Sequence, residues 1–401
     1  MADQRGDDAV SRREYVKYGG ALAAGGLLAG CSGASDSDKN DATTETPAST
    51  ETTTEDTEES TEVSTDTSYT VSMAPVGDVR FESVPETFAV YESGYADMGV
   101  ALGKGEDLLA VGNTTRFHTD HYDELDGVTV ASEPTQLLGD SYAIDRELFY
   151  ELDSDVHLID PRWLINNGFN LDRSDVDSVV EDVGPFVGNT IFRRTDVWHD
   201  YRYYTLYGAF ETVARVFDRV DRYEAVKAVH DAAVADVSAS LPSADARPNA
   251  LLCFGASDRP EAFYPYRLSD RGTNKKQFRD LGITDALSGS GVSGLSTNDR
   301  GQIDYETMLE IDPDSILLRG HESKTEAEFR DTVVSFMEQH AVASELTAVQ
   351  EGRVFRGGPI YQGPLQHLFN LERFASLYFP EQFSGDLFSR EALAAAVVGD
   401  A

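Results

Sequence analysis

Arginine and aromatic side chains recur at the ends of the segments whose composition predicts β-strands. They are Arg116 and Phe117, Arg162 and Trp163, Tyr264, Tyr266 and Arg267, Arg319 with His321, and Tyr361. A guanidinium offers a planar fork of donors that matches carboxylate or hydroxamate oxygens. Aromatic faces pack against an organic shell and attract cations. Together these side chains could hold an anionic small molecule; a local salt bridge is the competing role for each arginine. A second group, Arg193, Arg194, Trp198, Tyr201, Tyr203 and Tyr204, either forms another wall of the same site or packs the start of a long helix.

Signatures of catalysis are weak. Gly289-Ser-Gly-Val-Ser-Gly294 fits the dinucleotide pattern G-x-G-x-x-G, but it follows a predicted helix and leads into a loop. The fingerprint needs a strand before it and a helix after it, so a turn is expected here. No P-loop, nucleophile elbow or zinc-type Cys/His spacing occurs. His118 and His121 could form a metal pair with Asp120 or Asp123, the basis of a rival reading as a secreted metal-dependent enzyme. Metal sites usually declare a third ligand at recognisable spacing, so a loop facing a cleft is the preferred reading. A non-enzyme with no intrinsic cofactor is expected.

The elements that must position these side chains alternate between strand and helix. Strands are predicted at 88–91, 108–112 and 156–159, and again at 249–254, 315–319 and 353–356, with helical patterns between them. In open α/β sheets ligands sit at the carboxyl ends of strands, where the arginines and aromatics fall. Between the two halves, residues 204–241 place apolar residues at three- and four-residue spacing, one face of an amphipathic helix. Asp221 and Glu224 could form a capping box that restarts it, giving two helices in series. Pro242 and Pro248 stop it. Two matching phrases flank this stretch, from Ile144 to Ile159 and from Ile303 to Leu318. Each sets a Glu eight positions before an Asp: Glu147 before Asp155, Glu306 before Asp314. Two α/β lobes, at 69–203 and 242–401, joined by the helical segment 204–241, are the expected architecture.

The 401 residues carry 71 acidic and 33 basic side chains, for a net charge of −38. Phosphate binding needs a basic face, so nucleic acid is excluded as a partner. Such acidity fits a surface kept soluble in high salt, as halophiles do. The two cysteines, Cys31 and Cys253, give no disulfide framework; Cys253 lies in an apolar run and is expected as core filler. Residues 32–68 are Thr, Ser, Glu and Asp with almost nothing apolar, a composition expected to form a disordered tether. Residues 1–31 read as an export address. Ser11-Arg-Arg-Glu-Tyr-Val-Lys17, with Arg12 and Arg13, resembles the twin-arginine signal. A short apolar stretch follows, ending in Leu28-Ala-Gly-Cys31, which resembles a lipobox. Lipid at Cys31 would anchor the chain to the extracellular face of the membrane; a structural or adhesive surface lipoprotein is the third reading.

Segments 87–112, 281–287, 349–355 and 378–383, with the two Glu-containing phrases, follow in order the pattern of one family. Over residues 75–388 the chain resembles the iron-siderophore and vitamin B12 binding proteins of ABC transporters, in a haloarchaeal lipoprotein form. The resemblance implies two Rossmann-like lobes bridged by a long α-helix, the helical-backbone class III fold, with a ligand cleft between them. It implies a ferric siderophore as cargo, with cobalamin or haem as alternatives, and an ABC permease with its ATPase as partners of a monomeric binding protein. Glu147 and Glu306 match the family position where a Glu on each lobe meets an Arg pocket on the permease. Ordinary acids at a helix N-terminus are the competing reading for both.

Overall fold

The computed structural model describes residues 67–292 and 301–399. Arg12, Arg13 and Cys31, residues 32–66 of the tether, and Ser293 and Gly294 of the glycine-rich turn lie outside the described residues. Among the described residues no helix is long and apolar enough to cross a membrane.

An antiparallel hairpin of β1 (Tyr69–Met73) and β2 (Gly77–Phe81) opens the fold. It is followed by β3 (Phe88–Val90), β4 (Leu108–Val111), β5 (Thr135–Gln136) and β6 (Val156–Leu158). These four make a parallel sheet in the order β5-β4-β3-β6. The second sheet uses β7 (Asn249–Phe254), β8 (Tyr264–Tyr266), β9 (Thr284–Asp285), β10 (Ser315–Arg319) and β11 (Val354–Arg356). Its order is β11-β10-β7-β8, with β8 antiparallel and β9 paired to the start of β7. Every residue of β3, β6 and β10 is buried. That continuous burial is what a parallel strand covered by helices on both faces requires. Cys253 is fully buried in β7, where desolvation pushes its thiol pKa up, consistent with core filler.

The predicted helical stretch is two helices in series, Leu206–Val216 and Val220–Ser240. Thr205 caps the first by accepting from the Gly208 amide at 3.0 Å. The restart does not use the predicted capping box. Asp218 adopts a left-handed φ of 50°, which turns the chain, and Arg219 makes no side-chain cap bond.

The lobe boundaries differ from those expected. Helix Val220–Ser240 places Tyr223, Val226 and Ala233 in the core of the first lobe and Val237 in that of the second. Helix Pro364–Tyr378 does the same in reverse, with Leu365 and Leu368 in the first core and Leu371, Phe374 and Ala375 in the second. The last helix, Arg390–Val398, returns to the first core through Leu393, Ala396 and Val397. Residues 242–401 therefore do not all belong to the second lobe, and two helices bridge the lobes where one was expected. The C-terminal helix is short and Ala-rich, so its pattern did not reveal which core it covers.

The matching phrases fold alike. Helices Glu147–Leu152 and Tyr305–Ile311 each end on a left-handed aspartate, Asp153 at φ 47° and Asp312 at φ 46°. Asp155 then accepts from the amides of Glu86 and Thr87 ahead of β3, both at 2.9 Å. Asp314 accepts from the Asn249 amide opening β7 at 2.8 Å. Each aspartate thus clips the start of one strand to the start of its neighbour.

Acid should loosen this body. His157 in β6 is fully buried, its ring 4.7 Å from that of Phe186 and its Nδ1 3.2 Å from the Gly184 carbonyl oxygen. Burial pushes its pKa from 6.5 down to about 4. A base whose folded pKa lies below its unfolded value binds fewer protons when folded. Its contribution to stability is therefore complete above pH 6.5 and falls away as the pH drops towards 4. Integrated to pH 5 the loss is about 2 kcal/mol. His157→Phe should flatten the acid limb of a stability-against-pH profile by that amount; an unchanged limb would count against the assignment.

Candidate functional site

A cleft of about 370 Å³ opens between the carboxyl ends of the two sheets. Residues just after β3, β4 and β6 supply Tyr91, Arg116 and Trp163 from the first lobe. Phe254 closes β7, and Tyr264, Pro265 and Tyr266 of β8 with Arg267 form the facing wall. Ile360 and Tyr361, in the link from β11 to helix Pro364–Tyr378, make the floor. Strand order brings these ends together, because connections of parallel strands deliver loops to one edge.

The first-lobe side is an aromatic box. Tyr91 lies 5.5 Å from Trp163 and 5.1 Å from Phe169, and Phe192 lies 5.4 Å from Trp163 and 4.8 Å from Tyr361, ring centre to ring centre. Edge-to-face and tilted contacts of this kind hold the rings in place as a preformed apolar surface.

Charge is distributed against the character of the whole chain. Arg116, Arg193, Arg267 and Lys275 line the cleft, against Asp270 as its lining carboxylate among the described residues. Arg193 is committed to Asp196 through two bonds of 2.7 Å and stacks over Trp163 at 4.8 Å. Arg267 donates to the carbonyls of Leu287 and Val292 at 2.5 and 2.6 Å. Lys275 reaches Asp270 at 2.6 Å, and burial pushes its pKa down to about 8. Arg116 stands 6.0 Å from the centre of the Tyr361 ring and has no carboxylate within salt-bridge distance among the described residues. Its guanidinium is therefore the one presented to an incoming anion. Glu92, buried behind this wall, is pushed well above the usual carboxylate range by desolvation and by Asp160.

Six of the ten side chains singled out in the sequence line the cleft: Arg116, Trp163, Tyr264, Tyr266, Arg267 and Tyr361. The other four do not. Phe117 packs against the first-lobe core. Arg162 turns outward, donating to the Trp198 carbonyl at 3.3 Å and lying 3.8 Å from Asp200. Arg319 is fully buried beneath the second wall, donating to the carbonyls of Asn274 and Gly357 at 2.6 and 3.3 Å. His321 is buried with Nε2 2.6 Å from the Gly255 carbonyl oxygen. A strand end fixes where a residue sits but not which way its side chain turns.

The second group divides. Arg193 lines the cleft, whereas Tyr201 donates to Asp160 at 2.5 Å, Tyr203 stacks 3.6 Å from His199, and Tyr204 joins the first core. Arg194 lies over Tyr203, and Trp198 packs at the edge of the aromatic box. His121 Nε2 lies 3.2 Å from Asp97, whose other oxygen accepts from the Leu365 and Gln366 amides at 2.8 and 3.2 Å. Tyr91, Phe169 and Phe192 were missed because an isolated aromatic in an α/β chain is more often core, and these three are indeed buried in it.

The profile of the periplasmic binding protein family matches residues 88–361. Among curated proteins none matches the chain in sequence. Solved structures do. An ABC-type Fe3+-hydroxamate transport protein from Saccharomonospora viridis is 18% identical with a TM-score of 0.52, covering 78% of this chain and 99% of its own. An iron uptake ABC transporter substrate-binding protein from Streptococcus pneumoniae is 15% identical with a TM-score of 0.53, covering 77% and 98%. A petrobactin-binding protein from Bacillus subtilis is 14% identical with a TM-score of 0.51, covering 78% and 99%. At these identities the likeness is one of fold. With a profile match over more than half its length and two parallel-sheet lobes joined by helices, the chain belongs to the periplasmic binding protein family, in its class III fold.

Proposed function

We propose that the chain is the extracytoplasmic substrate-binding component of an ABC importer and that its cleft captures a ferric siderophore. The carrying observation is the cleft itself: an aromatic box beside four cations, set in a chain of net charge −38. Ferric chelates of hydroxamate, carboxylate or catecholate type present oxygen-rich, often anionic faces within an organic shell, and these walls complement both parts. The structural neighbours, an Fe3+-hydroxamate transport protein, an iron uptake protein and a petrobactin-binding protein, support the same class. In this reading Arg12 and Arg13 direct export and lipid on Cys31 tethers the body outside the membrane, with the general acidity serving solubility in high salt.

Glu147 and Glu306 are exposed at the starts of equivalent helices in the two lobes. Glu147 lies 3.0 Å from Arg146, a surface pair that solvent screens and that a permease arginine could replace. We assign both carboxylates to permease docking. Cells carrying Glu147→Ala with Glu306→Ala should lose ferric-siderophore uptake at wild-type abundance, while the isolated double variant binds the chelate normally. Normal uptake by the double variant, or impaired binding, would defeat the docking role.

A further inference from the structure

Away from the cleft, three ligating side chains converge where the bridging helices meet the second lobe. His230 comes from helix Val220–Ser240, His367 from helix Pro364–Tyr378, and Asp280 from the end of helix Lys276–Asp280. One ligating atom from each lies within 4.8 Å of the others. His230 is 6% exposed and His367 fully buried. None of the three lines the cleft.

The hydrogen bonds prepare this group for a cation. His230 Nδ1 lies 2.9 Å from Asp231 Oδ1, so the ring donates there and keeps its lone pair on Nε2. That Nε2 is buried without a partner. A carboxylate behind one imidazole nitrogen, orienting the other, is the usual support of a metal-ligating histidine. His367 Nε2 lies 3.0 Å from Asp280 Oδ2, while its Nδ1 has no partner. For His367 to ligate through Nε2 its proton moves to Nδ1, a change of tautomer that alters no charge.

We propose that His230, Asp280 and His367 form a binding site for a divalent transition-metal ion of the zinc, cobalt or nickel type, separate from the cleft. Two imidazoles and one carboxylate select such ions over magnesium or calcium, which prefer all-oxygen shells. A neighbouring cavity of about 520 Å³ reaches His230 and Asp280 and gives access and room for water in the remaining position; besides Asp231 its wall carries Arg194, Lys227, Arg271, Lys276 and Arg279. Lys276, 2.7 Å from Asp280 Oδ2, opposes the ion; its side chain is 19% exposed and must swing towards that cavity on binding. A bound ion would tie both bridging helices to the second lobe and stiffen the hinge.

Cobalt(II) titration of the tag-free protein in molar salt tests this. One equivalent should produce ligand-field absorption in the visible, competed away by zinc, and zinc should raise Tm. Loss of an outer-shell partner already costs about 10- to 100-fold in metal affinity. Loss of the ligand in His230→Gln should therefore cost more than about 100-fold and abolish the absorption, with circular dichroism unchanged. His367→Gln should behave alike. Absence of the ligand-field bands in the wild-type protein overturns the site, whatever the variants do. So does a folded His230→Gln that binds cobalt as the wild type does.

Discussion

Arg116→Ala is expected to weaken binding of an anionic ferric chelate about ten- to a hundred-fold, with Tm unchanged. The guanidinium is half-buried at the cleft wall, braced against Tyr361, and has no carboxylate within salt-bridge distance among the described residues. A charge-assisted hydrogen bond formed there replaces water on one cation without breaking an existing ion pair. Such bonds contribute about 1.5–3 kcal/mol, which sets the expected range. Arg116→Lys keeps the charge but loses the fork, so it should recover only part of the affinity. Equilibrium titration of the variants checks this. Wild-type affinity in Arg116→Ala would remove the arginine from the site and leave the aromatic box to explain recognition.

Arg319→Ala should act on stability first. The side chain is fully buried, and desolvation lowers its pKa to about 10. Its donors hold the carbonyls of Asn274 and Gly357, and its charge lies 5.6 Å from the centre of the Tyr266 ring. Gly357 packs so closely that an added Cβ would meet Arg319 Cγ at 2.9 Å. Truncation therefore removes the Arg319 donors from the Gly357 and Asn274 carbonyls, leaving the latter only a 3.5 Å bond from Gln277 Nε2, beside a cavity, at a combined cost of about 3–5 kcal/mol. Arg319→Met fills most of the volume and removes the buried charge, so it should cost less. Chemical denaturation of the three proteins measures the difference. An Arg319→Ala protein as stable as wild type would show that the guanidinium does not support the cleft wall. Affinity should fall only as far as Asn274 and Tyr266, both lining the cleft, lose their positions.

The parallel strands β3, β4, β6, β7, β10 and β11, the helix pair after residue 204 and the placement of the cleft were legible, because burial writes itself into apolar runs and three- and four-residue spacing; the two- and three-residue strands β5, β8 and β9 were too short to show such a pattern. The repeated spacing from Glu147 to Asp155 and from Glu306 to Asp314 was legible as a pattern. Its meaning at the second position was not: Asp155 and Asp314 take amides from segments 68 and 65 residues away. The side-chain directions of Arg162 and Arg319 were equally hidden. Arg162 follows a parallel strand and Arg319 ends one, yet the first turns to solvent and the second folds under the wall, where backbone carbonyls from distant loops await it. The cluster of His230, Asp280 and His367 could not be found by spacing at all, since its members are 50 and 87 residues apart and meet only when the helices pack.

Equilibrium titration in molar salt, following the tryptophan fluorescence to which Trp163 in the cleft contributes, addresses the central claim most directly. The ligands are a ferric trihydroxamate, a ferric catecholate, each iron-free siderophore, cobalamin and haem. At least one ferric chelate should saturate the protein at one equivalent and bind more tightly than its iron-free form. Saturation by cobalamin or haem alone, or by none of these ligands, would contradict the assignment of this cleft to ferric siderophores.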